Sequence, residues 1–184
     1  ASIPRHRLAR EITSTILTNE AIDRMGFTFV RNTAERYGRP PSDVARAFAI
    51  SVDAFDLNTL FKQVEAQDAP GLFPVQAEMF GEISRLIRRT TSWLLRRQDG
   101  NLNVAQLVAT LKPPIRVFAD NLTSVLGSVA TERVAALGQR WVEAGADKDL
   151  AIAVAQLDPI ASAPDISQIA ASAEPEDLLS AAKV

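Results

Sequence analysis

The chain has no cysteine, one histidine, one tyrosine and two tryptophans among 184 residues. Without cysteine there is no disulfide framework and no thiolate chemistry. His6 alone cannot supply the three or four protein ligands of a zinc site. It also has no serine or cysteine partner at a spacing that suits a catalytic triad. The glycines never fall into G-x-G-x-x-G or P-loop spacing, so no phosphate cradle is legible. No apolar run reaches the roughly 20 residues a membrane span needs. Arg5, His6, Arg7 and Arg10 give a basic start, but no apolar block follows, which excludes a signal peptide. The net charge is −2 and the pI about 5.5. That balance lacks the basic excess a nucleic-acid binder uses to neutralise phosphates. Carboxylates are many, but none forms a convincing acid–base pair. Asp147, Asp149 and Asp158 read as caps and surface charges. These absences point to a cytoplasmic chain with no catalytic, cofactor or metal site of its own. It does not begin with methionine, and Val184 falls inside a helical pattern. Both features predict a segment of something larger.

What is present is helical periodicity from end to end. The apolar fraction of 47% is ordinary for a globular domain, and a chain this long can bury roughly 70% of its unfolded surface. The expected fold class is all-α, with nine to eleven helices, short connections and the longest helix central. A first helix runs from Arg5 to Met25, with Leu8, Ile12, Thr15, Ile16, Asn19 and Ile22 on one face. Gly26 interrupts it, and a shorter helix ends at Tyr37. Gly38-Arg39-Pro40-Pro41 breaks the chain. Ser42 or Asp43 is expected to cap a helix bearing Val44, Phe48, Val52 and Phe55. Asp56 starts another, with Leu57, Leu60, Phe61 and Val64 on one stripe. After Ala69-Pro70-Gly71 the longest helix spans Pro74 to Arg97, burying Phe80, Ile83, Leu86, Ile87, Thr90, Trp93 and Leu94. Asp99-Gly100-Asn101 reads as a turn. Further helices are expected over Val104–Leu111, Ile115–Leu126 and Thr131–Ala144, the first two parted by Pro113-Pro114. Val134, Leu137 and Trp141 line the third. Residues 1–145 form the main helical domain on this reading, and 146–184 a small alanine-rich unit. Pro175-Glu176-Asp177 echoes Pro41-Ser42-Asp43, more simply as shared capping chemistry than as a repeat.

Two side-chain groups qualify as candidate sites. Arg85, Arg88, Arg89 and Arg96 share roughly a 100° sector of the longest helix, opposite its apolar face. Guanidinium forks suit carboxylates and phosphates, so the stripe is a candidate anion site or interdomain contact. The plainer alternative is a solvated face, with Glu82 paired to Arg85. Asn19 and Asp23 are candidates for buried polar packing, because they sit on or beside the apolar face of the first helix. Trp93 and Trp141 lie on aliphatic stripes and read as core. The break near Gly38 could suggest a helix-turn-helix, but its second helix offers Arg46 and little else to read bases.

Four stretches carry a resemblance: RHRLAREITSTILTNEAIDRMGFTFV (Arg5–Val30), DVARAFAISVDAFDLNTLFKQVEAQD (Asp43–Asp68), RLIRRTTSWLLRR (Arg85–Arg97) and LAIAVAQLDPIASAPDI (Leu150–Ile166). Their order and spacing resemble the C-terminal helical region of the large bacterial NAD-specific glutamate dehydrogenases. The resemblance covers most of the chain. Phe61 departs from it, where tryptophan is often expected, as does the proline-rich turn Arg39-Pro40-Pro41. The resemblance implies a parent oxidoreductase converting glutamate to 2-oxoglutarate and ammonia with NAD. The family's catalytic and dinucleotide-binding motifs lie N-terminal to this region and none is matched here. No catalytic or cofactor residue is therefore carried over, and NAD belongs to the parent. The implied partners are catalytic domains of the same polypeptide or neighbouring subunits of a homo-oligomer, with no nucleic acid and no membrane. The family's region continues further, so the alanine-rich unit is expected to be truncated. The alternative is a freestanding helical interaction module without enzymatic activity.

Overall fold

A computed structural model describes residues 8–97 and 102–170. Among these residues the fold is all-α, with no strand. In chain order the helices are α1 (Ala9–Met25), α2 (Phe27–Tyr37), α3 (Pro41–Ala54), α4 (Leu57–Glu65), α5 (Phe73–Arg97), α6 (Val104–Asp120), α7 (Leu122–Val125), α8 (Ser128–Glu143), α9 (Lys148–Ala155), α10 (Leu157–Ile160) and α11 (Ala163–Ala170). His6, the Asp99–Asn101 turn and the Pro175 echo lie outside the described residues.

The centre belongs to α3 rather than to the longest helix. α3 packs against α1, α2, α4, α5 and α6. Val44, Ala45, Ala47, Phe48, Ile50 and Val52 are all buried, so α3 is covered on nearly every side. Small residues interleaved with Phe48 and Ile50 let five helices approach it. α5 lies beside it with a buried stripe through Met79, Ile83, Leu86, Ile87, Trp93 and Leu94. One core cluster runs from Ala21 through α3, α5 and α6 to Leu150, Val154, Leu157 and Ala163.

Chain breaks follow local chemistry. Gly38 closes α2 in the left-handed conformation, at φ 61°. That conformation lets the Arg39 amide return to the Ala34 carbonyl at 3.1 Å, as in a Schellman-type stop. Pro41 then opens α3 at its first position, where a missing amide proton costs nothing. The cap residue is Pro40, with no side-chain cap bond, so neither Ser42 nor Asp43 caps as expected. Asp43 is instead 7% exposed, held by Arg39 at 2.9 Å and Arg46 at 3.1 Å. Two guanidiniums draw the carboxylate away from the amides it would have capped. Asn103 and Asp147 do cap α6 and α9, accepting from Gln106 and Leu150 amides.

Two further expectations are corrected. α6 continues through Pro113 and Pro114 instead of ending before them. The carbonyls these prolines leave without amide donors belong to Ala109 and Thr110, both exposed, where water can serve them. Leu111, Ile115 and Phe118 meanwhile bury one stripe across the interruption and hold the helix together. On α1 the expected apolar face is only partly covered: Ile22 packs against the core and Ile12 is half-buried, but the rest is turned outward. Leu8 is 46% exposed and Ile16 50%, and Thr15 and Asn19 are exposed beside them. The protected side runs instead through Ser14, Thr18, Ala21 and Met25. Small side chains bring α1 close to α3, and bulky Ile16 is left facing away.

Candidate functional site

The arginine stripe of α5 meets α2 on one side and the α10–α11 region on the other. All four predicted arginines are exposed, but the structure treats them differently. Arg85 donates to Glu82 one turn earlier. Arg88 lies over the Phe29 ring, 5.1 Å from its centroid, a contact that fixes the cation without neutralising it. Arg89 donates to the Asp158 carboxylate at 2.9 Å and to its carbonyl at 3.2 Å. Arg96 has no ion-pair partner among the described residues.

Two polar hollows of about 390 and 290 Å³ open along this face and share Arg36, Tyr37, Arg88 and Ser92. The larger reaches Arg89, Arg96 and Asp165; the smaller reaches Asn32 and Thr33 on α2. Asp165 already accepts from the Trp93 indole at 2.8 Å and from Arg97 at 3.1 Å. The groove therefore gathers Arg36, Arg88, Arg89 and Arg96 around a single carboxylate that is already engaged. Thr90, 2% exposed, also lines it, and its hydroxyl lacks a hydrogen-bond partner among the described residues. The structure thus joins Arg88, Arg89 and Arg96 and leaves Arg85 outside. Arg36 and Tyr37 complete the groove. Only the tertiary packing of α2 on α5 brings them there, so no periodicity on α5 could have revealed them.

Asn19 and Asp23 are not buried packing groups. Both are exposed, because the protected side of α1 runs through the small residues named above. Asp56 forms a second electrostatic node. Its φ of 53° places a non-glycine residue in the left-handed region at the α3–α4 corner. Its carboxylate holds Lys112 at 2.5 Å and Arg116 at 3.0 Å, tying that corner to α6. Partial burial pushes the Asp56 pKa up, but the hydrogen bonds and charges of Lys112 and Arg116 outweigh it and hold it below 3.8. A pKa lower in the folded than in the unfolded state stabilises the fold above the unfolded value and loses that contribution as pH falls through the folded one. Asp56→Asn should therefore flatten the loss of stability as pH falls below the ordinary carboxylate value of about 4, read from urea midpoints, by under about 1 kcal/mol given the half-exposed carboxylate.

Two mostly apolar hollows of about 310 and 480 Å³ flank α8, reaching Leu122, Leu126 and Ile152 on one side and Val129 and Leu137 on the other. Among the described residues no cluster of histidine and carboxylate side chains could hold a metal ion. No described helix is long and apolar enough to cross a membrane. The described positive-φ glycines sit at helix ends and loops, Gly26, Gly38, Gly71 and Gly145. None follows a strand to open a helix as the glycine turn of a Rossmann dinucleotide cradle does.

The sequence profile of the family described as "Glutamate dehydrogenase, C-terminal" matches residues 1–184. The chain belongs to this glutamate dehydrogenase C-terminal family. It is 36% identical over 169 residues to an NAD-specific glutamate dehydrogenase of Pseudomonas aeruginosa, covering 89% of this chain and 10% of that protein. It is 34% identical over 165 residues to one from Halomonas elongata, covering 90% of this chain and 10% of that protein. A Mycobacterium tuberculosis protein of the same name is 25% identical over 152 residues, 83% of this chain and 9% of that protein. The chain thus spans about a tenth of the length of these glutamate dehydrogenases. No solved structure matches it.

Proposed function

We propose that this chain is the C-terminal helical segment of a long, cytoplasmic NAD-dependent glutamate dehydrogenase, and that it packs and positions rather than catalyses. The parent reaction is the oxidation of glutamate to 2-oxoglutarate and ammonia with reduction of NAD. NAD and the reacting carbon are handled elsewhere in the parent on this reading, which is supported by the lack of a dinucleotide-binding glycine motif along this chain. The partners are catalytic domains of the same polypeptide or neighbouring subunits of a homo-oligomer.

One observation carries the packing role: bulky apolar side chains on α1 and α2 face outward. Ile16 is 50% exposed and Phe27 59%. Isolated exposed apolar residues are ordinary, but Ile16 lies on a stripe with Ile12 at helical spacing, which marks a face suited to covering. A segment that covers about a tenth of its relatives has ample polypeptide to supply the cover. An accessory segment placed this way can bias domain closure by favouring one arrangement of its neighbours.

Ile16→Asp in the full-length polypeptide should lower kcat or the assembled mass, with an effect of about tenfold on assembly if Ile16 is buried against another region. Native mass measurement and steady-state kinetics read this. Unchanged mass and kinetics, with unchanged helicity, would remove the packing role for this face. A native polypeptide of only this length would instead favour a freestanding interaction module.

A further inference from the structure

We infer that the α2–α5 groove binds a small, multiply charged oxyanion bearing phosphate or carboxylate groups. Arg36, Arg88 and Arg96 line it without a carboxylate partner among the described residues, and Arg89 stands at its edge already bonded to Asp158. Like charges gathered on two packed helices repel one another, and an anion between them turns that repulsion into attraction. Guanidinium groups present paired N–H donors that match the oxygens of phosphate and carboxylate.

The walls are prepared for such a ligand. Arg88 is steadied on the Phe29 ring, and Trp93 is locked to Asp165 by its indole N–H. Both fix the groove before anything enters, which reduces the ordering cost of binding. Ser92, Asn32, Thr33 and Tyr37 add uncharged hydrogen-bonding groups between the arginines. Thr90 adds a buried hydroxyl that has no protein partner among the described residues.

Dimensions favour a ligand with more than one charge. Arg88 and Arg96 are eight residues apart on one helix, about 12 Å along its axis. A single monovalent ion cannot answer both. Trp93 is only 7% exposed, so it offers no open ring for stacking a base. With arginines on both helices of the groove, the charged groups of the ligand carry most of the recognition.

The test is arginine footprinting with phenylglyoxal on the natural full-length polypeptide, read by peptide mass spectrometry. Inorganic pyrophosphate should slow modification of Arg36, Arg88 and Arg96 at least fivefold, with Arg133 changed less than twofold. Malonate serves as the carboxylate arm: protection by both probes marks a general oxyanion site, and protection by pyrophosphate alone marks a phosphate site. Arg96→Gln should reduce protection of Arg36 and Arg88 at least fivefold while leaving the circular dichroism spectrum unchanged. Equal protection by sodium chloride at matched ionic strength would show mere screening and overturn the proposal. Arginines in the groove that do not react even without a probe would show the site already covered by another protein segment, which overturns it as well.

Discussion

Replacing Phe48 by alanine should remove about 3–5 kcal/mol of folding stability. Phe48 is fully buried on α3, at 0% exposure, in the helix that touches five others. The loss combines the transfer of an aromatic ring to water with a cavity that five rigid neighbours cannot close. A domain holds only about 5–15 kcal/mol in total, so one truncation consumes a large share. Urea denaturation of the chain should show a lower midpoint at an unchanged slope. Phe73→Ala is the contrast, because Phe73 is 78% exposed and its loss should change stability by under about 0.5 kcal/mol. Comparable midpoints for the two variants would mean that α3 is not the centre of the fold.

Trp141→Ala should cost a similar amount, about 3–5 kcal/mol, but in a different place. Trp141 is 1% exposed, and its indole donates to Glu78 on α5 at 2.8 Å. Arg140 donates to the same carboxylate. α8 otherwise packs chiefly against α9, so this pair is a polar tie from α8 to α5. Hydrogen exchange should therefore show α8 losing protection before α3 does, as a local opening below the global free energy. Trp141→Phe keeps most of the volume and removes the indole donor, and should cost about 0.5–1.5 kcal/mol. Uniform loss of protection across α3 and α8 would show that α8 unfolds only with the whole.

Much of the architecture was legible because glycine, proline and periodicity agreed. Gly26, Gly38 and the Ala69–Gly71 break lie where helices stop, and the α5 stripe from Ile83 to Leu94 is buried as its spacing requires. The failures share one cause, packing that outweighs local preference. On α1 the small residues Ser14, Thr18 and Ala21 took the inner side because α3 offers close approach, and the larger Ile16 was left outside. Hydrophobicity alone ranks those residues in the reverse order. Pro113 and Pro114 failed to end α6 because Leu111, Ile115 and Phe118 bridge them on the buried side. Asp43 failed to cap α3 because Arg39 and Arg46 compete for its carboxylate. The arginine stripe could be read from α5, but its division into a groove and an outlying Arg85–Glu82 pair could not. That division depends on where α2 and the α10–α11 region land.

Among the described residues the groove draws its positive charge from arginine alone, with neither lysine nor histidine along its walls. Arginine keeps its proton at any pH a cell experiences. The positive charge of these walls therefore cannot be tuned by acidity, nor erased by the acetylation that silences lysine. Between the acid range where carboxylates such as Asp165 titrate and the alkaline range where phenols such as Tyr37 do, a variation of occupancy with pH would report the ionisation of the guest, so the groove would count negative charges on its ligand against a steady background.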